Sequence, residues 1–289
     1  MKLIAGGMPL ADIAGNRRKR RGAARRGGGV ERDTRDKPSP ASAFGHCRRP
    51  PGMGQAFMRA KPRHHQLLAA AEVIIVAAAY ILISTATVGA VDVAFLFPEE
   101  WSSSERAVGS GFLTGAVIQV VLVLVAAYLL GRKDLRKAIA ASLSPATRQA
   151  WIIAAIATAI HIGTAMLFFL PQPARVWEPS GLNLLLSAVP AADGWSQEVL
   201  FRGYVLFRLA RADVPAIAQI LISGLLFAAI HLGYAGDTAW AFLAPLVGTF
   251  MLGCFYAWAV RSGGGSLKPV IICHVLIIVV LQPWLALAH

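Results

Sequence analysis

Long apolar runs, each about as long as a lipid bilayer is thick, constrain this chain more than any other feature. Residues 110–131, SGFLTGAVIQVVLVLVAAYLLG, carry no charged side chain. A helix needs about 20 apolar residues to cross the hydrocarbon core, at about 1.5 Å of rise per residue. Charged residues make up only 15% of the chain and the mean hydropathy is +0.58. An ordinary soluble domain, with roughly a quarter charged residues, is therefore excluded.

The apolar runs predict an all-α, polytopic transmembrane helix bundle with seven or eight spans. The run over 181–211 is longer than one span and contains Pro190 and Gly194, which favour a division into two helical pieces. The predicted spans are 67–91, 110–131, 150–170, the two pieces of 181–211, 214–235, 238–261 and 266–288.

Most of the net positive charge lies before the first span. Residues 1–66 hold sixteen Lys and Arg against four Asp and Glu, whereas the rest of the chain is nearly balanced. The first 60 residues contain too few large apolar side chains for a core, so we expect a disordered tail. Such a tail can bind nucleic acid or anionic lipid. We favour an orientation signal for the first span and expect no nucleic-acid partner.

Two features of the chain ends and loops bear on where the protein begins and how it is oriented. Met53 and Met58 each precede a short basic lead into the first span, so translation from one of them, leaving part of the tail untranslated, is a hypothesis. The loop over 132–148 is basic and the loop over 92–109 is acidic. By the positive-inside rule, we expect a multi-pass protein of the cell membrane with a cytoplasmic tail.

Ionisable residues inside the predicted spans gather in the last hundred positions: Glu198, Arg202, His231 and His274. A charge at the centre of a membrane helix costs roughly 2.5 to 3.5 kcal/mol on insertion scales, so such residues point to function. A structural ion pair between Glu198 and Arg202, and hydrogen-bonded core histidines, remain alternatives. A transporter path is a third, although only Glu72 and His161 lie outside the cluster.

The depths of these residues are compatible with one site. Glu198 and His231 lie about 22 and 27 Å from the turn near Asp213, so antiparallel helices would place them at similar depth. His274 lies only about 13 Å beyond Gly265, and its helix would have to tilt or begin late to bring it to the same level.

Three segments in this region resemble the CPBP family, which includes type II CAAX prenyl proteases and Abi-type bacterial membrane proteins. They are QEVLFRGYVLFRL, ISGLLFAAIHLG and GGSLKPVIICHVLII, in that order. The family pattern is EExxxR, FxxxH and Hxxx(N/B) on successive spans. The resemblance implies a CAAX protease/Abi-like transmembrane domain over 180–289, preceded by N-terminal helices over 67–170 and the basic tail over 1–66.

The resemblance assigns the functional residues by position. Glu198 matches the second Glu of the first motif, Arg202 its Arg, and His231 and His274 the histidines of the other two. Gln197 stands where the family has its first Glu, and Ile278 where it commonly has Asn. If the first Glu is the general base, replacing Gln197 with Glu should raise activity.

The implied function is an intramembrane endopeptidase of the CAAX-processing or Abi type, in which Glu and His activate water, weakened by the two departures. An inactive relative that binds or regulates a membrane partner is the alternative. Expected partners are membrane lipids and a peptide or protein substrate near the membrane. The resemblance also allows a metalloprotease, in which Glu198, His231 and His274 would supply one carboxylate and two imidazoles, a ligand set that zinc accepts. No cofactor is certain from the sequence, and zinc is possible.

Overall fold

The computed structural model describes residues 63–130, 132–169, 181–234 and 238–287, and within these ranges every regular element is helical. The all-α fold class is thereby confirmed. The helices before the interrupted run are α1 (Arg63–Ala90), α2 (Ser103–Leu124), α3 (Lys133–Ala141) and α4 (Arg148–Phe169). Those that follow are α5 (Gly181–Ala188), α6 (Pro190–Glu198), α7 (Val205–Arg211), α8 (Ala216–Ile230), α9 (Ala239–Ser262) and α10 (Lys268–Leu287).

The predicted tail lies almost wholly outside the described residues, which begin at position 63. Helix α1 starts at Arg63, so the last four residues assigned to the tail form the first turn of the first span. Helix α2 starts with a capping box, in which the Ser102 hydroxyl accepts a hydrogen bond from the Glu105 amide and the Glu105 carboxylate accepts one from the Ser102 amide. This reciprocal pair satisfies amides that the first turn leaves without helical partners.

Within the described ranges, four helices are long and apolar enough to cross a membrane: Arg63–Ala90, Ser103–Leu129, Arg148–Leu167 and Phe242–Ser262. Two shorter apolar helices, Ala216–Ile230 and Lys268–Gln282, coincide with two further predicted spans. The remaining predicted run, 181–211, is helical but divided, as its proline indicates.

The division of that run positions the candidate site. Pro190 occupies the first turn of α6, where its missing N–H costs no helical hydrogen bond. Helix α6 then passes into a π-helix over Val199–Tyr204 before α7 begins. Short π-helical turns are rare and are often found at functional sites.

Small residues allow the central helices to approach closely. A Cβ atom added to Gly253 in α9 would lie only 2.8 Å from the Gly224 Cα in α8, so the two backbones are in direct contact there. Likewise, a Cβ on Gly203 would overlap the side chain of Ala138 in α3. Close approach through small residues is a common way for helices to associate where the hydrophobic effect is weak.

A polar network closes one end of the bundle. The Glu72 carboxylate accepts hydrogen bonds from Arg208 Nε at 2.8 Å, Arg132 Nη1 at 2.9 Å and the Tyr204 hydroxyl at 3.0 Å. These contacts join α1 to α7 and to the start of α3. Arg261, in the last turn of α9, donates to Gln219 near the start of α8, at this same end. We refer to the end that carries Arg132, Arg208 and Arg261 as the basic end.

Candidate active site

Glu198 and Arg202 form a buried ion pair where α6 passes into the π-helix. The Arg202 Nη1 nitrogen lies 3.1 Å from the Glu198 Oε1 oxygen, and neither side chain is exposed. An isolated charge in an apolar interior is very costly, and an opposite charge in contact offsets part of that cost. The i, i+4 spacing therefore allows both groups to lie inside the bundle as ions.

Aromatic rings enclose the Arg202 guanidinium. Its central carbon lies 3.7 Å from the centroid of the Phe227 ring and 5.6 Å from that of Tyr256. Cations are attracted to the faces of such rings, most strongly where water is excluded. A 2.6 Å hydrogen bond joins the Tyr256 hydroxyl to that of Thr158, which holds the ring in place. Arg202 thus has stabilising contacts from α8 and α9 as well as from its own helix.

His274 on α10 contacts the same carboxylate oxygen. Its Nδ1 nitrogen lies 2.8 Å from Glu198 Oε1. A carboxylate only accepts hydrogen bonds, so Nδ1 carries a proton, and in the neutral form of the ring the lone pair lies on Nε2. The His274 side chain is almost completely buried at this contact. Glu198 therefore fixes both the orientation and the tautomer of His274.

His231 follows the last turn of α8, in a short 3₁₀ helix. Its Nδ1 lies 2.8 Å from the Phe227 carbonyl oxygen, which can only accept, so this ring too has its proton on Nδ1. The Phe227 ring contacts both histidines edge to face, with centroid separations of 4.6 Å to His231 and 5.4 Å to His274. Phe227 thereby sets the spacing between them.

The two histidines line one cavity of about 620 Å³ between α4, α9 and α10. Most of its other lining residues are apolar, and Ile278 is among them. His161, on α4, lines the same cavity. Glu198 and Arg202 are not among the lining residues; they lie behind His274, fully buried. The structure therefore brings the four predicted site residues together, but only the two histidines face the cavity.

Gln197 is directed away from this cavity. Its Nε2 donates to Gln119 Oε1 on α2 at 3.3 Å, and the same oxygen accepts a 2.6 Å hydrogen bond from the Tyr80 hydroxyl on α1. Successive helix residues point about 100° apart, so Gln197 and Glu198 face different neighbours. The position expected from the resemblance to hold the base therefore belongs to a separate polar cluster.

The arrangement does not fit a zinc site. Zinc is usually held by three or four His, Cys or carboxylate ligands. In the described part of the chain, no group of three or more His, Cys, Asp or Glu side chains is placed to hold a metal ion. The Glu198 oxygen nearest the histidines already contacts Arg202 and His274. We therefore derive no step through a metal.

Sequence reasoning missed two contributors to this site. His161 was placed outside the cluster because it precedes the three motif segments by more than thirty residues. The signal that could have identified it is the cost of a histidine within an apolar span, which applies to His161 as it does to His231. Tyr256 carried no signal, because an aromatic residue is common in any buried helix.

Residues 179–280 match the family model described as Rce1-like, type II CAAX prenyl endopeptidase Rce1-like, which leaves α1 to α4 outside the match. No curated protein and no solved structure matches the chain. The matched segment contains the buried pair of Glu198 and Arg202. It also contains His231 and His274, the two motif histidines that line the cavity. Residues 179–280 therefore form a domain of the CPBP/CAAX protease family, within a membrane-embedded, multi-pass protein.

Proposed function

We propose that the protein is an intramembrane endopeptidase of the CAAX-processing type that hydrolyses a peptide bond by histidine-activated water. The observation that carries the proposal is the 2.8 Å contact between Glu198 and His274 at the wall of a cavity shared with His231. An imidazole held by a carboxylate is a recurrent general base in peptide hydrolysis. The family match supports a peptidase in general.

In this mechanism His274 Nε2 removes a proton from water as the water oxygen bonds to the carbonyl carbon. The electron pair of the carbonyl moves to its oxygen, which becomes an oxyanion. Glu198 stabilises the imidazolium that forms, and Arg202 keeps Glu198 in place. As the tetrahedral intermediate collapses, the C–N bond breaks and His274 returns the proton to the leaving amine. His231, with its lone pair on Nε2, can accept a hydrogen bond from the second O–H group of the water, and this bond orients the water.

The lining of the cavity favours an apolar substrate segment. Side chains such as Ile160, Val247, Leu252 and Ile277 form its walls, and the histidines are the ionisable groups among the lining residues. Substrate binding in mostly apolar pockets with a few oriented polar groups is the general pattern for enzymes. The proposed partner is a peptide or protein segment in the membrane, with lipid as the surrounding solvent; no nucleic acid is involved.

The position of the cavity within the bundle bears on its sidedness. The cavity extends from His274 to Trp240 in the first turn of α9, and Trp240 lies 21 residues, about 31 Å, from Arg261 at the basic end. By the positive-inside rule the basic end is cytoplasmic, as is the tail. The proposed site therefore receives its substrate from the half of the cell membrane facing away from the cytoplasm.

The proposal is tested with the full-length protein in lipid nanodiscs. Two internally quenched peptides are used, one ending in a farnesylated CAAX sequence and the other an unprenylated apolar twin, and products are identified by mass spectrometry. We expect cleavage of at least one peptide, lost in His274→Ala and His231→Ala. The control His65→Ala alters an exposed histidine of α1 and should retain activity. Cleavage that survives His274→Ala would overturn the proposal.

A catalytically inactive relative that binds a membrane partner is the second candidate. Two observations favour it: Gln197 faces Gln119 rather than the cavity, and Ile278 gives the cavity no hydrogen bond. On this alternative, the wild-type protein binds one of the two peptides and cleaves neither. Binding and cleavage measured on the same nanodisc preparation therefore separate the two functions.

A further inference from the structure

We propose that His161 is a further catalytic residue, which donates a hydrogen bond to the oxyanion that forms on the substrate carbonyl. The inference rests on the proposed peptidase function and adds a residue from outside the family-matched segment. His161 belongs to α4, whereas the match begins at residue 179. No motif in the sequence assigns it a role.

His161 lines the same cavity as His231 and His274. Its ring packs against α9 at Gly248, where an added Cβ would lie 3.7 Å from Cε1 and 3.9 Å from Nδ1 of the imidazole. The imidazole therefore lies beside the backbone of α9 at this glycine.

The other two histidines each use their Nδ1–H group in a hydrogen bond. The Nδ1–H group of His274 donates to Glu198 and that of His231 donates to Phe227. In their neutral forms both rings therefore have an acceptor, Nε2, as their second nitrogen. Two acceptors suit a water molecule that must be oriented and deprotonated. They do not suit an oxyanion, which needs donors.

Among the described residues, the other side chains with hydrogen-bond donors that line the cavity are Thr164, Trp240, Thr249 and Gln282. Thr164 lies one turn beyond His161 on α4. Trp240 lies 16 residues, about 24 Å along α9, from Tyr256, whose ring contacts that of His274. Thr249 lines the cavity, but its hydroxyl donates to the Pro245 carbonyl of its own helix at 2.7 Å. Ile278 has no donor. Gln282 is eight residues beyond His274 on α10, about 12 Å along the axis. A neutral imidazole has one N–H group, so His161, which lines the same cavity, can donate.

The test compares His161→Leu, which has no donor, with His161→Gln, whose amide is a donor. His65→Leu is the matched control, because it removes an exposed histidine of α1 outside the cavity. With the peptide cleaved by the wild-type protein, we expect His161→Leu to lower kcat by about 10²- to 10³-fold with little change in KM. His161→Gln should retain most of kcat and His65→Leu all of it, and the acid limb of the pH profile should be the same in each.

Two results would overturn the proposal. Unchanged kcat in His161→Leu would show that the residue takes no part in the reaction. Equal loss in His161→Gln and His161→Leu, with a shifted acid limb in His161→Gln, would make His161 a proton acceptor rather than an oxyanion donor. Thermal unfolding of each variant, followed by tryptophan fluorescence, separates loss of catalysis from loss of folding.

A measurement independent of turnover distinguishes failure of this inference from failure of the proposed function. A phosphinic peptide mimics the tetrahedral oxyanion, and its affinity is compared with that of the parent peptide. We expect His161→Leu to lose about 10²-fold in affinity for the phosphinic peptide and almost none for the parent peptide. Affinity for the phosphinic peptide that depends on His274 but not on His161 overturns the inference alone. A wild-type protein that neither cleaves nor binds the probes overturns both.

Discussion

Glu198 Oε1 lies between the Arg202 guanidinium and the His274 imidazole, 3.1 Å from Arg202 Nη1 and 2.8 Å from His274 Nδ1. One oxygen thus joins a residue that holds the carboxylate to a residue that faces the cavity. In the proposed mechanism Glu198 therefore positions His274, because the carboxylate itself does not line the cavity. In that mechanism the proton acceptor is His274.

Removing the Glu198 charge should slow the reaction while leaving the lining of the cavity unchanged, because Glu198 is not a lining residue. We expect Glu198→Gln to lower kcat by about 10²-fold or more, because the imidazolium loses its counter-charge. The variant also leaves Arg202 without an ionic partner, so Glu198→Gln/Arg202→Met serves as the folding-matched control. The double variant should regain thermal stability but not kcat. Recovery of kcat in the double variant would show that Glu198 acts only through the fold.

Arg202 should matter more for stability than its neighbour in the motif. We expect Arg202→Ala to cost about 3 to 5 kcal/mol, because it leaves the Glu198 carboxylate buried beside His274 alone. Gln197→Ala removes one hydrogen bond between neutral groups and should cost about 1 kcal/mol. The measurement is thermal unfolding in detergent with the yield of monodisperse protein. Equal midpoints for the two variants would contradict a stabilising ion pair.

Gln197 and Ile278, which differ from the family pattern, should respond differently when each is replaced by the residue that the family has there. Gln197→Glu places a charge in the Tyr80–Gln119 cluster, away from the cavity, so we now expect no rise in kcat and a lower unfolding midpoint. Ile278→Asn places an amide in the cavity and should raise kcat by up to about 10²-fold. Both are measured with the same peptide. A higher rate in Gln197→Glu would mean that residue 197 reaches the reacting water.

The contact between α8 and α9 should be intolerant of a single methyl group. A Cβ at Gly253 would lie 2.8 Å from the Gly224 backbone, so Gly253→Ala should cost about 1 to 3 kcal/mol. Gly163 on α4 is the control, because an added Cβ there meets nothing within 4 Å. Gly163→Ala should be neutral or slightly stabilising, by up to about 1 kcal/mol. Similar unfolding midpoints for the two variants would contradict the close packing.

The proposed orientation can be tested with single cysteines in a background without native cysteine. Phe95 lies between α1 and α2, in the acidic loop, and Leu143 lies between α3 and α4; both are largely exposed. We expect Phe95→Cys to react with a membrane-impermeant maleimide in intact spheroplasts of a bacterial host. Leu143→Cys should react only after permeabilisation. The reverse pattern would place the cavity toward the cytoplasm.

Local patterns predicted those parts of the fold and site that depend on one helix. The four-residue spacing of Glu198 and Arg202 indicated an ion pair, and the structure places their charged groups in contact. The proline in the run over 181–211 marked the break before α6. Helix periodicity and composition determine such features without knowledge of the neighbouring helices.

Features that depend on how helices pack against one another were less predictable. Counting residues from the nearest turn placed His274 too shallow to meet Glu198. The structure closes that gap because α10 begins deeper than α7 ends. A Cβ added to Gly203 would lie 3.1 Å from the Leu267 side chain, so α10 begins beside residue 203, eight residues before the end of α7. The direction of Gln197 likewise depends on the angle at which α6 faces α2. Neither the depth at which α10 begins nor the angle between α6 and α2 can be read from the spacing of residues in the sequence.

The i, i+4 pairing of Glu198 with Arg202 also bears on the biogenesis of the protein. Helices leave the ribosome in chain order, so the segment with both charges reaches the membrane before α10 and His274 are synthesised. A carboxylate and a guanidinium on the same face of one helix can neutralise each other at that stage, without a partner from another helix. The insertion machinery is then presented with a dipole rather than with two separate charges. On this order of synthesis, His274 reaches the membrane after the ion pair that it contacts.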